Sequence, residues 1–161
     1  MEIIFRHLRV YVWTYLVEGS RNYPGFHLAA RSESCLILIA WLEQLKQTDA
    51  GNTRTIPLTL LRSEQATPIS ESLKCRSFHK CRLTIGPERD DLEQMVINAD
   101  GDRVNLEITY SQLPELIQGL RDVSHGIGDY AMTAKSPFNA NHRESQKLWF
   151  WPCFGEFWEN A

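Results

Sequence analysis

The 161-residue chain has no stretch that could span a bilayer. Its longest aliphatic and aromatic run is Leu36–Leu42, whereas a spanning helix needs roughly 20 such residues. No export signal is expected either. Arg6, His7 and Arg9 interrupt the region where an apolar signal core would sit, and Glu18 to Arg21 offers no small-residue cleavage site. Cysteine is sparse: Cys35, Cys75, Cys81 and Cys153 lack the density of a disulfide-stapled secreted domain, so buried free thiols are expected. These absences predict a small soluble, cytoplasmic protein. Charge of neither sign prevails. A net charge of −3 creates no global field toward nucleic acid or anionic lipid. The chain carries no internal repeat, low-complexity tract or linker, and its length suits one domain, 1–161.

Signatures of catalysis are absent as well. No G-x-S-x-G elbow, H-E-x-x-H, Walker A or dinucleotide fingerprint occurs. Cys35 and the histidines His7, His27, His79, His125 and His142 include the types a thiol–base pair needs. However, Cys35 falls on the inner stripe of a predicted helix, which argues against reactivity.

The most legible stretch runs from Glu93 to Met132. Asp100-Gly101 separates two strand-like runs and suits a two-residue turn whose central residues need positive φ. With those two as the loop, Ala99 faces Asp102, Ile97 faces Val104 and Met95 faces Leu106. Met95, Ile97, Val104, Leu106 and Ile108 then share one face, leaving Asn105, Glu107 and Thr109 toward solvent. Ser111 has the side chain to cap a helix, and Pro114 suits its first turn. Leu113, Leu116, Ile117, Leu120 and Val123 recur at helical spacing, with Gly126 as a left-handed stop and His125 at the carbonyl end.

Elsewhere, Ile3–Val17 reads as a strand apolar on both faces: Val10 and Val12 share one parity, Tyr11, Trp13 and Tyr15 the other. Phe26–Ala30 reads as a short connector. A helix follows to about Lys46, capped by Ser32 or Ser34, with Cys35, Leu38, Ile39, Leu42 and Leu45 inward and Trp41 off that stripe. Gly51-Asn52 is the expected turn before a strand Ile56–Leu61, which Pro57 restricts to an edge or a start. Further strands are predicted at Lys74–Ile85, Asp129–Lys135 and Gln146–Phe154. The whole predicts an α+β fold: a mostly antiparallel, twisted sheet of about six to seven strands with two helices on one face.

Four features invite functional readings. Cys75, His79 and Cys81 share a predicted strand face. On a straight strand of about 3.3 Å per residue, though, the two cysteines stand about 20 Å apart, so only His79 and Cys81 could chelate one metal ion together, and the expectation is no metal and no cofactor. Lys74, Arg76, Lys80 and Arg82 form a basic row around Phe78, a pattern able to stack bases, but the net acidity argues against nucleic acid. His125 and Asp129 flank a Gly-x-Gly that follows a helix rather than preceding one, so it is no phosphate loop. The two are the candidate acid/base pair of a small enzyme or ligand-binding protein with a site around His125–Tyr130. Aromatics are plentiful late in the chain, where Trp149, Trp151, Phe157 and Trp158 are candidate interaction residues. With no catalytic constellation and this surplus, the leading expectation is a protein-interaction module, either partner-inhibiting or homodimer-forming.

Overall fold

The strand expected from Lys74 to Ile85 breaks at Phe78 and His79, and that break shapes the whole sheet. The structure, a computed structural model, describes residues 8–15, 25–45, 52–61, 75–88, 95–127, 130–135 and 146–153. Nine strands lie among them: β1 (Val10–Tyr15), β2 (Gly25–Ala30), β3 (Asn52–Pro57), β4 (Cys75–Ser77), β5 (Lys80–Gly86), β6 (Met95–Asp100), β7 (Arg103–Thr109), β8 (Tyr130–Lys135) and β9 (Gln146–Pro152). The helices are α1 (Ser32–Leu45) and α2 (Leu113–Ser124). The strand order is β3-β5-β7-β6-β8-β9-β2-β1-β4. Five pairings are antiparallel, and three (β2 with β9, β5 with β7, β6 with β8) are parallel.

Because β4 and β5 are two halves of one bent segment, the two ends of this order meet. β4 pairs with β1 while β5 pairs with β3 and β7. The Phe78 N–H donates to the Val12 carbonyl at 3.1 Å, carrying the β1 ladder into the bend. Beyond β3, the Leu58 N–H donates to the His79 carbonyl at 2.9 Å and the Thr59 N–H to the Val10 carbonyl at 2.8 Å. The sheet therefore closes on itself, leaving fewer exposed ladder groups than an open sheet would.

One face of nearly every strand is apolar and packs on both helices. Val10, Val12, Phe26, Leu28, Leu83, Ile85, Ile97, Leu106, Leu148 and Phe150 belong to a single buried cluster with Cys35, Leu38 and Leu42 of α1 and Leu116, Ile117 and Leu120 of α2. Both helices thus cover the same face, and the α+β class and mostly antiparallel sheet hold. Trp41, placed off the α1 stripe, is nonetheless 6% exposed and part of this core. α2 approaches β9 through Gly119: a Cβ there would meet the Phe150 ring at 2.8 Å.

Several local expectations fail for identifiable reasons. Phe26–Ala30 is not a connector but part of β2, the strand that carries β1 on one side and β9 on the other. The strand near Pro57 lies earlier than expected, at Asn52–Pro57, so Asn52 belongs to the ladder rather than to a turn. The β6–β7 loop is Gly101-Asp102, with Asp100 paired to Arg103 and Ile97 to Leu106. The slip is two residues, an even number, so the predicted apolar face survives intact. Gly101 sits at φ +60°, and Arg103 locks the turn by an ion pair to Asp100 at 2.8 Å.

Thr109 is fully buried rather than facing solvent: its N–H donates to Gln112 Oε1 at 3.0 Å and its hydroxyl meets that of Ser111 at 3.0 Å. Ser111 does not cap α2. The cap residue is Gln112, while the N–H and hydroxyl of Ser111 donate to Glu88 at 2.8 and 2.9 Å. Nor does Ser34 cap α1; its hydroxyl accepts the Arg9 N–H at 2.7 Å, tying α1 to the segment before β1. The C-terminal stop of α2 is as expected. Gly126 adopts φ +76°, its N–H donates to the Val123 carbonyl at 3.0 Å, and the Ile127 N–H donates to the Asp122 carbonyl at 2.9 Å, a Schellman ending.

Candidate functional site: an aromatic row on the second sheet face

β1, β2 and β9 are adjacent, and their register aligns Trp13, His27 and Trp149 across the sheet. Side chains alternate along strands, so placing Val12, Leu28 and Phe150 against the helices turns this row to the opposite face. There Tyr11, Trp13 and Ala29 form a second buried cluster, with Leu61, Cys75, Trp151 and Cys153 packed on it. The sequence parity of β1 foretold this division, and in Gln146–Phe154 the alternation of Leu148 and Phe150 with Trp149 and Trp151 points the same way.

The rings lie nearly parallel. Trp13 and His27 stack with centroids 5.4 Å apart and planes 21° apart, His27 and Trp151 at 6.2 Å and 20°, and Trp149 and Trp151 at 6.3 Å and 22°. The Trp151 indole N–H donates to His27 Nδ1 at 3.0 Å. That bond needs an unprotonated Nδ1, which puts the remaining ring proton of a neutral imidazole on Nε2. Lys147 holds its ammonium 5.2 Å from the Trp149 ring centroid, within cation–π range. Trp13 and His27 are fully buried, whereas Trp149 and Trp151 are half-buried. The row therefore runs from the interior to the surface, with rigid indoles at its outer end.

The other sequence-derived candidates do not come together. Cys81 is buried in the main core, His79 is exposed, and Cys75 lies in the second cluster, so the three share no face. Burial pushes the Cys81 thiol up to about 12, disfavouring the thiolate a metal would need. No group of three or more His, Cys, Asp or Glu side chains suited to a metal ion occurs among the described residues. In the basic row Arg76, Lys80 and Arg82 are exposed, but Phe78 is fully buried in the core beneath Arg76, whose guanidinium lies 5.0 Å from the ring centroid. The aromatic that would stack a base is thus removed from solvent. Lys74 lies outside the described residues.

Cys35 is buried as anticipated, and desolvation pushes its thiol up to about 12, which disfavours the thiolate a nucleophile needs. His125 is exposed and closes α2 through its backbone N–H, which donates to the Arg121 and Asp122 carbonyls at 3.2 and 3.0 Å. Asp129, Phe157 and Trp158 lie outside the described residues.

Two concavities among the described residues are formed by other side chains. One, of about 40 Å³, lies inside the main core and is wholly apolar, bounded by Val12, Leu28, Trp41 and Leu106 among others. The other is a shallow polar depression on the outer face of β5, β7 and β6, lined by Arg82, Thr84, Asn98, Asn105 and Glu107. Neither includes Trp149 or Trp151.

No family model, curated protein or solved structure matches this chain. Its functional reading therefore rests on its own residues.

His27 is the member of the site that the sequence hid. It stood only among the five histidines. The signal available was the alternation Phe26, Leu28, Ala30 against His27, Ala29, which marks a strand with one polar residue on an otherwise apolar face.

Proposed function

We propose that this chain is a protein-interaction module, partner-inhibiting or self-associating, and that it binds through the second sheet face at Trp149 and Trp151. The observation that carries this reading is the fixed geometry of the two indoles. They are stacked on each other, and Trp151 is pinned by its hydrogen bond to His27. Tryptophan is enriched at binding hot spots because one side chain supplies a large contact area. A pair already held in one rotamer loses little further entropy on binding, which otherwise costs about 0.5–1.5 kcal/mol per immobilised side chain.

The test is capture from a lysate at two bait concentrations with mass readout, run beside sedimentation velocity of the purified chain. A stoichiometric partner, or a second copy, should be retained by the parent chain and lost on Trp149→Ala. Retention by that variant at parental stoichiometry contradicts the assignment of the face.

A further inference from the structure

The outer face of β5, β7 and β6 is laid out in three cross-strand rows. Register places Lys80 beside Arg103 and Asp100 in the first, Arg82 beside Asn105 and Asn98 in the second, and Thr84 beside Glu107 and Val96 in the third. The intervening Cys81, Leu83, Val104, Leu106 and Ile97 are buried in the main core, so the rows face away from the helices. The polar depression on this face spans the second and third rows and holds about 160 Å³.

Cations gather at one end. Lys80 and Arg82 are exposed, and among the described residues neither is held by a carboxylate. Arg103 pairs with Asp100 at 2.8 Å, so the first two rows set three cations against one carboxylate. In the adjoining turn Arg76, which donates to the Gly101 carbonyl, is offset by exposed Asp102. β3 borders the rows with Pro57, Thr55 and Thr53, all uncharged. The other carboxylate of these rows, Glu107, is engaged by a contact of its own. It lies four residues along β7 from Arg103, about 13 Å at the rise of a strand.

The polar groups between these ends are incompletely matched by the fold. Asn105 Nδ2 donates to Asn98 Oδ1 at 3.1 Å, which leaves the Asn98 amide nitrogen as a donor. Asn105 Oδ1 and Arg103 Nε, two residues apart on one face of β7, are buried without a hydrogen-bond partner among the described residues. Orphans of this kind are rare in folded chains and call for an explanation.

We infer that this face binds a small phosphorylated polyol, a sugar phosphate, with its phosphate on Arg82 and Lys80 and its hydroxyls on Asn98, Asn105 and Thr84. The guanidinium fork and the ammonium supply charge-assisted bonds to phosphate oxygens. Glu107 sets the direction, because it repels a phosphate from the third row and accepts hydrogen bonds from hydroxyls. A nucleic acid strand is disfavoured, since no aromatic side chain lines the depression and Phe78 is buried, leaving bases nothing to stack on. β8 separates these strands from β9, and the inference does not depend on the reading given to Trp149 and Trp151.

The probes are ribose monophosphate and glucose monophosphate, compared with the same sugars unphosphorylated and with inorganic phosphate. Each is titrated into the isotopically labelled chain and followed by amide chemical shifts. At least one sugar phosphate is expected to shift Arg82, Asn98 and Asn105. It should bind at least about tenfold more tightly than its sugar or inorganic phosphate, a difference of about 1.4 kcal/mol. Arg82→Gln should weaken it by a similar factor, as should Asn98→Ala, which removes no charge; unfolding midpoints of both variants check that they fold. Trp149→Ala should leave the titration unchanged. No shift with either sugar phosphate at millimolar concentration, inorganic phosphate binding as tightly, or insensitivity to Arg82→Gln would overturn the inference. So would tighter binding of a single-stranded oligonucleotide through the same residues, since the occupant would then be a polymer.

Discussion

Trp151 donates its indole N–H to Nδ1 of His27 across the parallel β2–β9 pair, and the two rings stack in the same contact. A half-buried tryptophan is thereby anchored to a fully buried histidine. His27→Phe keeps a flat ring for the stack but removes the Nδ1 acceptor, together with the Nε2–H. It is expected to cost about 1–3 kcal/mol, the penalty for stranding a donor with little access to water. The midpoint of denaturant unfolding reads this directly, and an unchanged midpoint would show that the bond contributes nothing.

Gly119 and Phe150 make a second testable contact. Alanine is the better helix former by about 1 kcal/mol, so Gly119→Ala would stabilise α2 on propensity alone. The clash between a Cβ and the Phe150 ring at 2.8 Å should reverse that sign, with a net loss of about 1–3 kcal/mol from overpacking. Gly119→Ala combined with Phe150→Leu should recover part of the loss, because the smaller side chain vacates the collision volume. Thermal unfolding of the single and double variants decides the point.

Burial raises the thiols of Cys35, Cys81 and Cys153 to about 12 from an ordinary value of 9.0. A folded-state value above the unfolded one means that the native chain resists ionisation. The associated stability is present in full below pH 9.0 and is lost as pH climbs from there toward about 12. Unfolding midpoints should fall across that window, less steeply after Cys81→Ala than before relative to each protein's value at pH 8. At neutral pH a thiol reagent should modify half-exposed Cys75 well before Cys35 or Cys81 in the native protein.

Glu88 accepts both the N–H and the hydroxyl of Ser111, and these bonds hold its carboxyl below the ordinary carboxylate value of 4.5. A lowered folded-state value stabilises the native chain above the ordinary range and ceases to do so as pH falls through it. Glu88→Gln should therefore leave a shallower loss of stability on the acid side. Circular dichroism melts from pH 6 downward would show the two profiles converging as Glu88 becomes protonated in the parent.

Much of this architecture is written in periodicity. The helical stripes of α1 and α2, the two faces of β1 and β9, and the apolar face of the β6–β7 hairpin all follow from spacing, and the buried residues agree with them. What failed was chemistry that depends on distant partners. Ser111 looks like a helix cap until Glu88 is brought beside it from 23 residues away. Phe78 sits among charges in sequence, yet the bend between β4 and β5 rotates it into the core. β2 was hidden because its six residues carry no turn signal that separates a strand from a connector, and its neighbours β1 and β9 include one from the far end of the chain. For the site, Trp149 and Trp151 were visible as aromatics. The histidine that pins Trp151 was not, since their separation of 124 residues is closed only by the sheet.

The most direct test of the proposed binding face is oxidative footprinting of Trp149 and Trp151, with mass readout, in the purified chain and again in its stoichiometric assembly. The account predicts that oxidation of both indoles falls several-fold on assembly while buried Trp13 stays unreactive throughout. Equal oxidation of Trp149 and Trp151 in the two states would contradict it, because the partner would then sit elsewhere on the molecule.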